Sequence, residues 1–209
     1  MPPFRQLCLF FAQKYIRISM KRNNQLLTVF ILMIVISALY RALPFESRPV
    51  WLGGPQLAMA LFAGSIIRNR KWAFALPIFS MLLSDALMQI LYVSGQSPYP
   101  GFYGGQLLNY AFISSLVVVG FFVNKTRLAS ILTGVVAAPT LFFLLSNFSV
   151  WVSGGGYHRA KTFAGLIQCY ADGLPFYGYS LMTMAVFSTA LFGAYHLLET
   201  SKAARSTTA

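Results

Sequence analysis

Six stretches of the chain are apolar over lengths that approach a membrane crossing, with short polar gaps between them. They are Leu26–Leu43, Gln56–Ile67, Trp72–Ser94, Leu107–Val123, Leu128–Ser146 and Tyr179–Glu199. A helix needs about 17–25 residues to cross hydrocarbon, and the second stretch reaches that length only with Trp51–Pro55 added. The pattern predicts an all-α fold, a polytopic transmembrane six-helix bundle over residues 26–199. Between the last two spans lies Phe163–Tyr177, which is too short to cross and contains the breaker-rich run Asp172-Gly173-Leu174-Pro175. It is expected as a short outer-surface or re-entrant helix before the last span.

The gaps carry the charge, and their signs set an orientation. Five cations fall in the N-terminal tail, three in Arg68–Lys71, two in Asn124–Arg127 and two in the C-terminal tail, all on one side of a six-span chain. Two fall in the first link and two in the fifth, on the other side. Cytoplasmic loops collect Lys and Arg, so this bias predicts cytoplasmic N- and C-termini and a multi-pass protein of the cell (inner) membrane. Loop composition sorts the same way. The basic links are short, whereas Pro44–Pro55, Gly95–Gly105 and Ser153–Thr162 are rich in glycine, and the first two also in proline and aromatics. Such irregular backbone cannot face lipid.

Composition agrees with the bilayer as solvent. Only 10% of residues are charged and 57% are hydrophobic, too few charges to coat a soluble domain of this size. The net charge of +12 does not imply a nucleic-acid partner, because the cations form no stripe or face but sit between apolar runs. Cys8 and Cys169 form no redox or metal motif. Residues 1–25 are expected as a cytoplasmic or interfacial segment in which Met20 reads as a second possible start, and 200–209 as a disordered tail.

The predicted topology assigns a depth to each polar side chain. Asp85 follows Trp72 by 13 residues, roughly 20 Å along the third span at 1.5 Å per residue. An acid at such depth points to function or to a structural bond, with Asn109 as one partner. Gln89 shares its helix face. Asn109 opens the fourth span, Asn147 and Trp151 close the fifth, and Tyr157 lies in the glycine-rich link that follows. These groups are expected to surround an outward-facing pocket, with Ser153–Tyr157 as its cover. Trp151 equally suits an interfacial anchor. Ala60 and Gly64 form a small-xxx-small pair that lets another helix approach closely, either within the bundle or from a partner. No metal site or cofactor is expected, and no phosphate-binding loop is present in the sequence.

Several stretches resemble a family of small bacterial membrane proteins without an assigned function. They are "GGPQLAMALFAGSI", the Ser84-Asp85 pair, Asn147-Phe148-Ser149-Val150-Trp151, and the Leu166–Phe176 run, within a match from about Leu39 to Leu198. That family is remotely similar to the substrate-binding subunits of energy-coupling-factor transporters. The resemblance implies a six-helix subunit that binds a small molecule from outside and docks on a transmembrane coupling subunit and its ATPases. The Ala-x-x-x-Ala docking motif of those subunits is Ala60-x-x-x-Gly64 here.

The expected function is therefore a membrane solute-binding or transport subunit whose partners are the bilayer, a small-molecule ligand and a coupling module. The alternative is a non-catalytic membrane scaffold. An enzyme using Asp85 and Asp172 as acid and base has thinner support, because no metal cluster or activated nucleophile accompanies them.

Overall fold

The computed structural model of the chain describes the backbone of residues 54–207 and the side chains of 54–200, together with Thr28, Ile31, Leu32, Ile34, Val35 and Leu39, all helical. The expected N-terminal segment 1–25 lies outside the described residues, as does most of the first expected span. Five helices follow in order: α1 (Gln56–Ile66), α2 (Arg70–Val93), α3 (Gln106–Phe121), α4 (Leu128–Ser153) and α5 (Phe163–Thr207). Among the described residues three segments are long and apolar enough to cross a membrane, namely α2, α4 and the Phe163–Thr200 part of α5. The other two, α1 with 11 residues and α3 with 16, are shorter.

The shortest helix is the centre. Every residue of α1 from Ala58 to Gly64 is buried, and α2, α3, α4 and α5 all pack on it. Its sequence, Leu-Ala-Met-Ala-Leu-Phe-Ala-Gly, has no polar face, as a helix enclosed on all sides requires. Phe62 meets Phe192 edge-on at 5.1 Å and Tyr195 at 6.4 Å between ring centroids, which locks α1 to α5. On its other side α1 crosses α3 backbone to backbone. A methyl group on Gly64 would strike the Val117 carbonyl oxygen, and one on Gly120 would strike the Leu61 carbonyl oxygen.

The links define two unlike ends. At one end Asn69 caps α2 by accepting from the Lys71 amide at 3.0 Å, and Asn124 Oδ1 accepts from the Thr126 amide at 3.0 Å. The Arg70 guanidinium lies 4.6 Å over the Phe121 ring and Lys125 Nζ lies 5.3 Å over Tyr195, so both basic links and the late part of α5 share this end. The other end carries the α2–α3 and α4–α5 links.

The expectation for Phe163–Tyr177 is corrected: it is no separate short helix but the first part of a continuous 45-residue α5. Tertiary bonds to α4 hold the breaker-rich run in the helix. Tyr170 OH donates to the Leu144 carbonyl at 3.1 Å, Tyr177 and Thr140 hydroxyls meet at 2.8 Å, and buried Gly173 lets α5 press on the Asn147 side chain. Pro175 leaves the Ala171 carbonyl without its helical donor, but both residues lie on the exposed side. The helix also continues to Thr207 through the expected disordered tail, where Ala203-Ala204-Arg205 favour helix and no Gly or Pro stops it.

Gly120→Val should therefore destabilise the protein by about 3 kcal/mol or more, since two backbones rather than flexible side chains block the added atoms. Gly178→Ala, with open space around its Cβ position, should change stability by about 1 kcal/mol or less. Thermal unfolding in detergent compares the two.

Candidate functional site

Asp85 stands on the buried side of α2 with 2% of its surface exposed. Its Oδ2 accepts two short hydrogen bonds from the first turns of α3, from Gln106 Nε2 at 2.6 Å and from Tyr110 OH at 2.6 Å. Gln106 and Tyr110 are four residues apart and so lie on one helix face. The α2–α3 link is drawn onto the same spot. Gln89, one turn beyond Asp85, accepts with Oε1 from the amides of Gly101 at 3.0 Å and Phe102 at 3.2 Å. Gly101 rests on the α2 backbone so closely that a methyl group would strike the Asp85 carbonyl oxygen. The carboxylate, two donors, a glutamine and a glycine thus form one bracket joining α2, α3 and their link.

A cavity of about 410 Å³ adjoins this bracket. Asp85 and Met81 of α2 form one wall, Asn109 and Ile113 of α3 another, and Gln56 and Leu57 open α1 beside them. Phe142 of α4 and Phe176, Tyr179, Ser180 and Thr183 of α5 close the far side. Tyr103, from the link, accepts from Asn109 Nδ2 at 2.9 Å. The space is therefore aromatic on several sides, with a carboxylate, amides and hydroxyls at its edge. Small-molecule sites commonly have this composition, with volumes of about 300–1,000 Å³.

The remaining expected site residues form a second group, around the α4–α5 link. Asn147 donates from Nδ2 to the Phe143 carbonyl at 2.9 Å, and its own carbonyl accepts from Cys169 Sγ at 3.5 Å. Trp151 packs on Phe148 at 5.9 Å, donates from Nε1 to the Ala160 carbonyl at 2.9 Å and carries Lys161 Nζ 5.3 Å over its ring. Gly154 ends α4 in the left-handed region, φ 74°, as C-terminal glycines do. Arg159 grips Asp172 through two bonds, 2.8 and 2.9 Å, and the hydrogen-bonded carboxylate raises the guanidinium pKa above its ordinary value. Lys161 Nζ also donates to the Val152 carbonyl at 2.9 Å. The glycine-rich link is pinned to both helices it joins, rather than draped over the Asp85 cavity. Tyr157 is 75% exposed, with Arg159 5.5 Å over its ring.

Of the expected binding residues, then, the structure brings Asp85 and Asn109 to one cavity and gives Gln89 a bracing place beside it. Asn147, Trp151 and Tyr157 sit around the other link. Ala60 and Gly64 are both buried within the chain, where Gly64 serves the α1–α3 crossing. Asp85 bonds Gln106 and Tyr110 rather than Asn109. The phenol Tyr110, four residues after Gln106, carried a signal in its spacing that polarity alone did not show. Among the described residues no three His, Cys, Asp or Glu side chains gather as a metal site.

The model of one family, described as a family of unknown function, DUF6580, matches residues 21–206. No curated protein and no solved structure matches the chain.

Gln106→Leu leaves the buried Asp85 carboxylate without one of its short bonds, and should lower stability by about 1.5–3 kcal/mol. Asp85→Asn keeps an acceptor oxygen of the same shape and should cost less. Thermal unfolding of the two variants checks the order.

Proposed function

The chain belongs to DUF6580, a family of unknown function, and we propose that it is an integral membrane subunit that binds a small solute in the cavity beside Asp85. The observation that carries this reading is the cavity itself, about 410 Å³ with a buried acid at its wall and aromatic rings around it. Asp85 and Asn109 supply the polar contacts, and Tyr103, Phe142 and Tyr179 flank the body of the ligand. Gln89 positions Asp85 indirectly, by holding the link against α2. The solute this favours is compact, with an apolar or planar body and a polar group turned toward Asp85.

The wider assignment follows from the sequence. The six-span topology, with Leu26–Leu43 as first span and both ends on the cytoplasmic side of the inner membrane, rests on the apolar runs and on the excess of cations at the Arg68–Lys71 and Asn124–Arg127 end. The relation to energy-coupling-factor substrate-binding subunits rests on a remote similarity of the family whose motifs are found around Ser84-Asp85 and Asn147–Trp151. In that setting a coupling subunit and ATPases supply the energy, and they contact a surface other than Ala60 and Gly64.

The test is thermal unfolding of the purified protein against a panel of small solutes. At least one class should raise the midpoint. Loss of one ligand hydrogen bond is worth about 1.4 kcal/mol, or tenfold; Asp85→Asn and Asn109→Ala should each weaken binding by about that factor. Trp151→Phe, away from the cavity, should leave binding unchanged. A folded protein that no solute stabilises, or a stabilisation indifferent to both cavity variants, overturns the proposal.

A further inference from the structure

A second hollow lies at the basic end, between the first turns of α4 and the later part of α5, with a volume of about 490 Å³. Its α4 wall is an apolar stripe, Leu128, Ile131, Leu132 and Val135, at the spacing of one helix face. On α5 it is Gly193 that makes room, since a methyl group there would meet nothing within 4 Å. In the wall of the hollow Ser188 is 2% exposed, and its buried Oγ has no hydrogen-bond partner. The next residue, Thr189, returns its hydroxyl to the Ala185 carbonyl at 2.7 Å, the usual solution in an apolar helix. A buried hydroxyl that does not do so is costly unless an acceptor is brought to it.

The mouth of the hollow has the opposite character. Thr126 and His196 line it. Lys125 Nζ sits over the ring of Tyr195, the neighbour of His196. Arg127 occupies the N-cap of α4, a 26-residue helix whose first turn has no side-chain cap, so its amides add positive potential at the same level. Glu199, one turn beyond His196, already has partners of its own.

An apolar slot with cations on the adjoining link and an unpartnered donor in its wall fits an amphiphile with an anionic head, an acyl tail and an acceptor between them. We propose that this groove is a specific site for an anionic glycerophospholipid. The phosphate lies against Lys125, Arg127 and the α4 N-terminus. One acyl chain runs along the Leu128–Val135 stripe beside Gly193, and Ser188 donates to an ester carbonyl. Lipid of the leaflet at the basic end reaches such a groove sideways, because α4 and α5 are both long and apolar enough to span. The site is separate from the Asp85 cavity and does not depend on it.

Native mass spectrometry of the protein in neutral detergent tests this, with dioleoyl phosphatidylglycerol and dioleoyl phosphatidylcholine offered at equal concentration. The anionic lipid should be retained preferentially, as one molecule per chain. Lys125→Gln with Arg127→Gln should reduce that preference by roughly fivefold per cation removed. Gly193→Leu, which places a side chain in the hollow, should reduce retention while the unfolding temperature shows the fold intact. Equal retention of both lipids, or a preference unmoved by both variants, overturns the proposal. So does displacement of the lipid by millimolar inorganic phosphate, since the acyl chain would then contribute nothing.

Discussion

Two glycines, Gly64 and Gly120, let the backbones of α1 and α3 touch, and the rest of the bundle is arranged around that contact. With no hydrophobic driving force between helices in lipid, close backbone packing is a main source of association. Here it fixes a helix too short to span at the centre of a bundle in which α2, α4 and α5 are long enough. Phe62, Phe192 and Tyr195 then tie the same short helix to α5. The first residues of α1 border an open space. The Asp85 cavity lies there, lined on one side by Gln56 and Leu57.

The crossing also places α3 against α2. Gln106 and Tyr110 reach Asp85, and the link between the two helices folds down onto Gln89. A carboxylate with 2% exposure is expensive in an apolar surrounding unless it is hydrogen-bonded. Two bonds of 2.6 Å to one oxygen meet that requirement and tie two helices together. The same residue is thus a structural bracket and a wall of the cavity, so ligand binding there would be coupled to the packing of α2 on α3.

How much of this was legible in the sequence differs from residue to residue. Apolar run length located α2 and α4, and the sorting of Arg and Lys located the basic links, because both follow from the solvent each segment meets. The depth of Asp85 and the helix-opening place of Asn109 brought two cavity residues into view. The continuity of α5 was hidden, since Asp172-Gly173-Leu174-Pro175 has the local chemistry of a break and only the bonds from Tyr170 and Tyr177 to α4, with Arg159 on Asp172, override it. Trp151 sits at the α4–α5 link for a related reason. Its indole bonds the Ala160 carbonyl across a link whose path is set by Gly154 and the Arg159–Asp172 pair, not by any pattern of apolar positions. Gly64 of the small-residue pair meets α3 of the same chain, which spacing alone does not say, since the neighbour could equally belong to a partner.

The central claim is that the space beside Asp85 opens to water and admits small solutes. The most direct measurement replaces Ser180, on the cavity wall, with cysteine in a protein lacking Cys8 and Cys169, and follows its reaction with a charged, membrane-impermeant thiol reagent in native membranes. Rapid modification at this position, with Leu132→Cys in the other groove unreactive, is the result the account predicts. A residue-180 thiol as inert as the one at 132 would mean the cavity is sealed or faces lipid, and would contradict it.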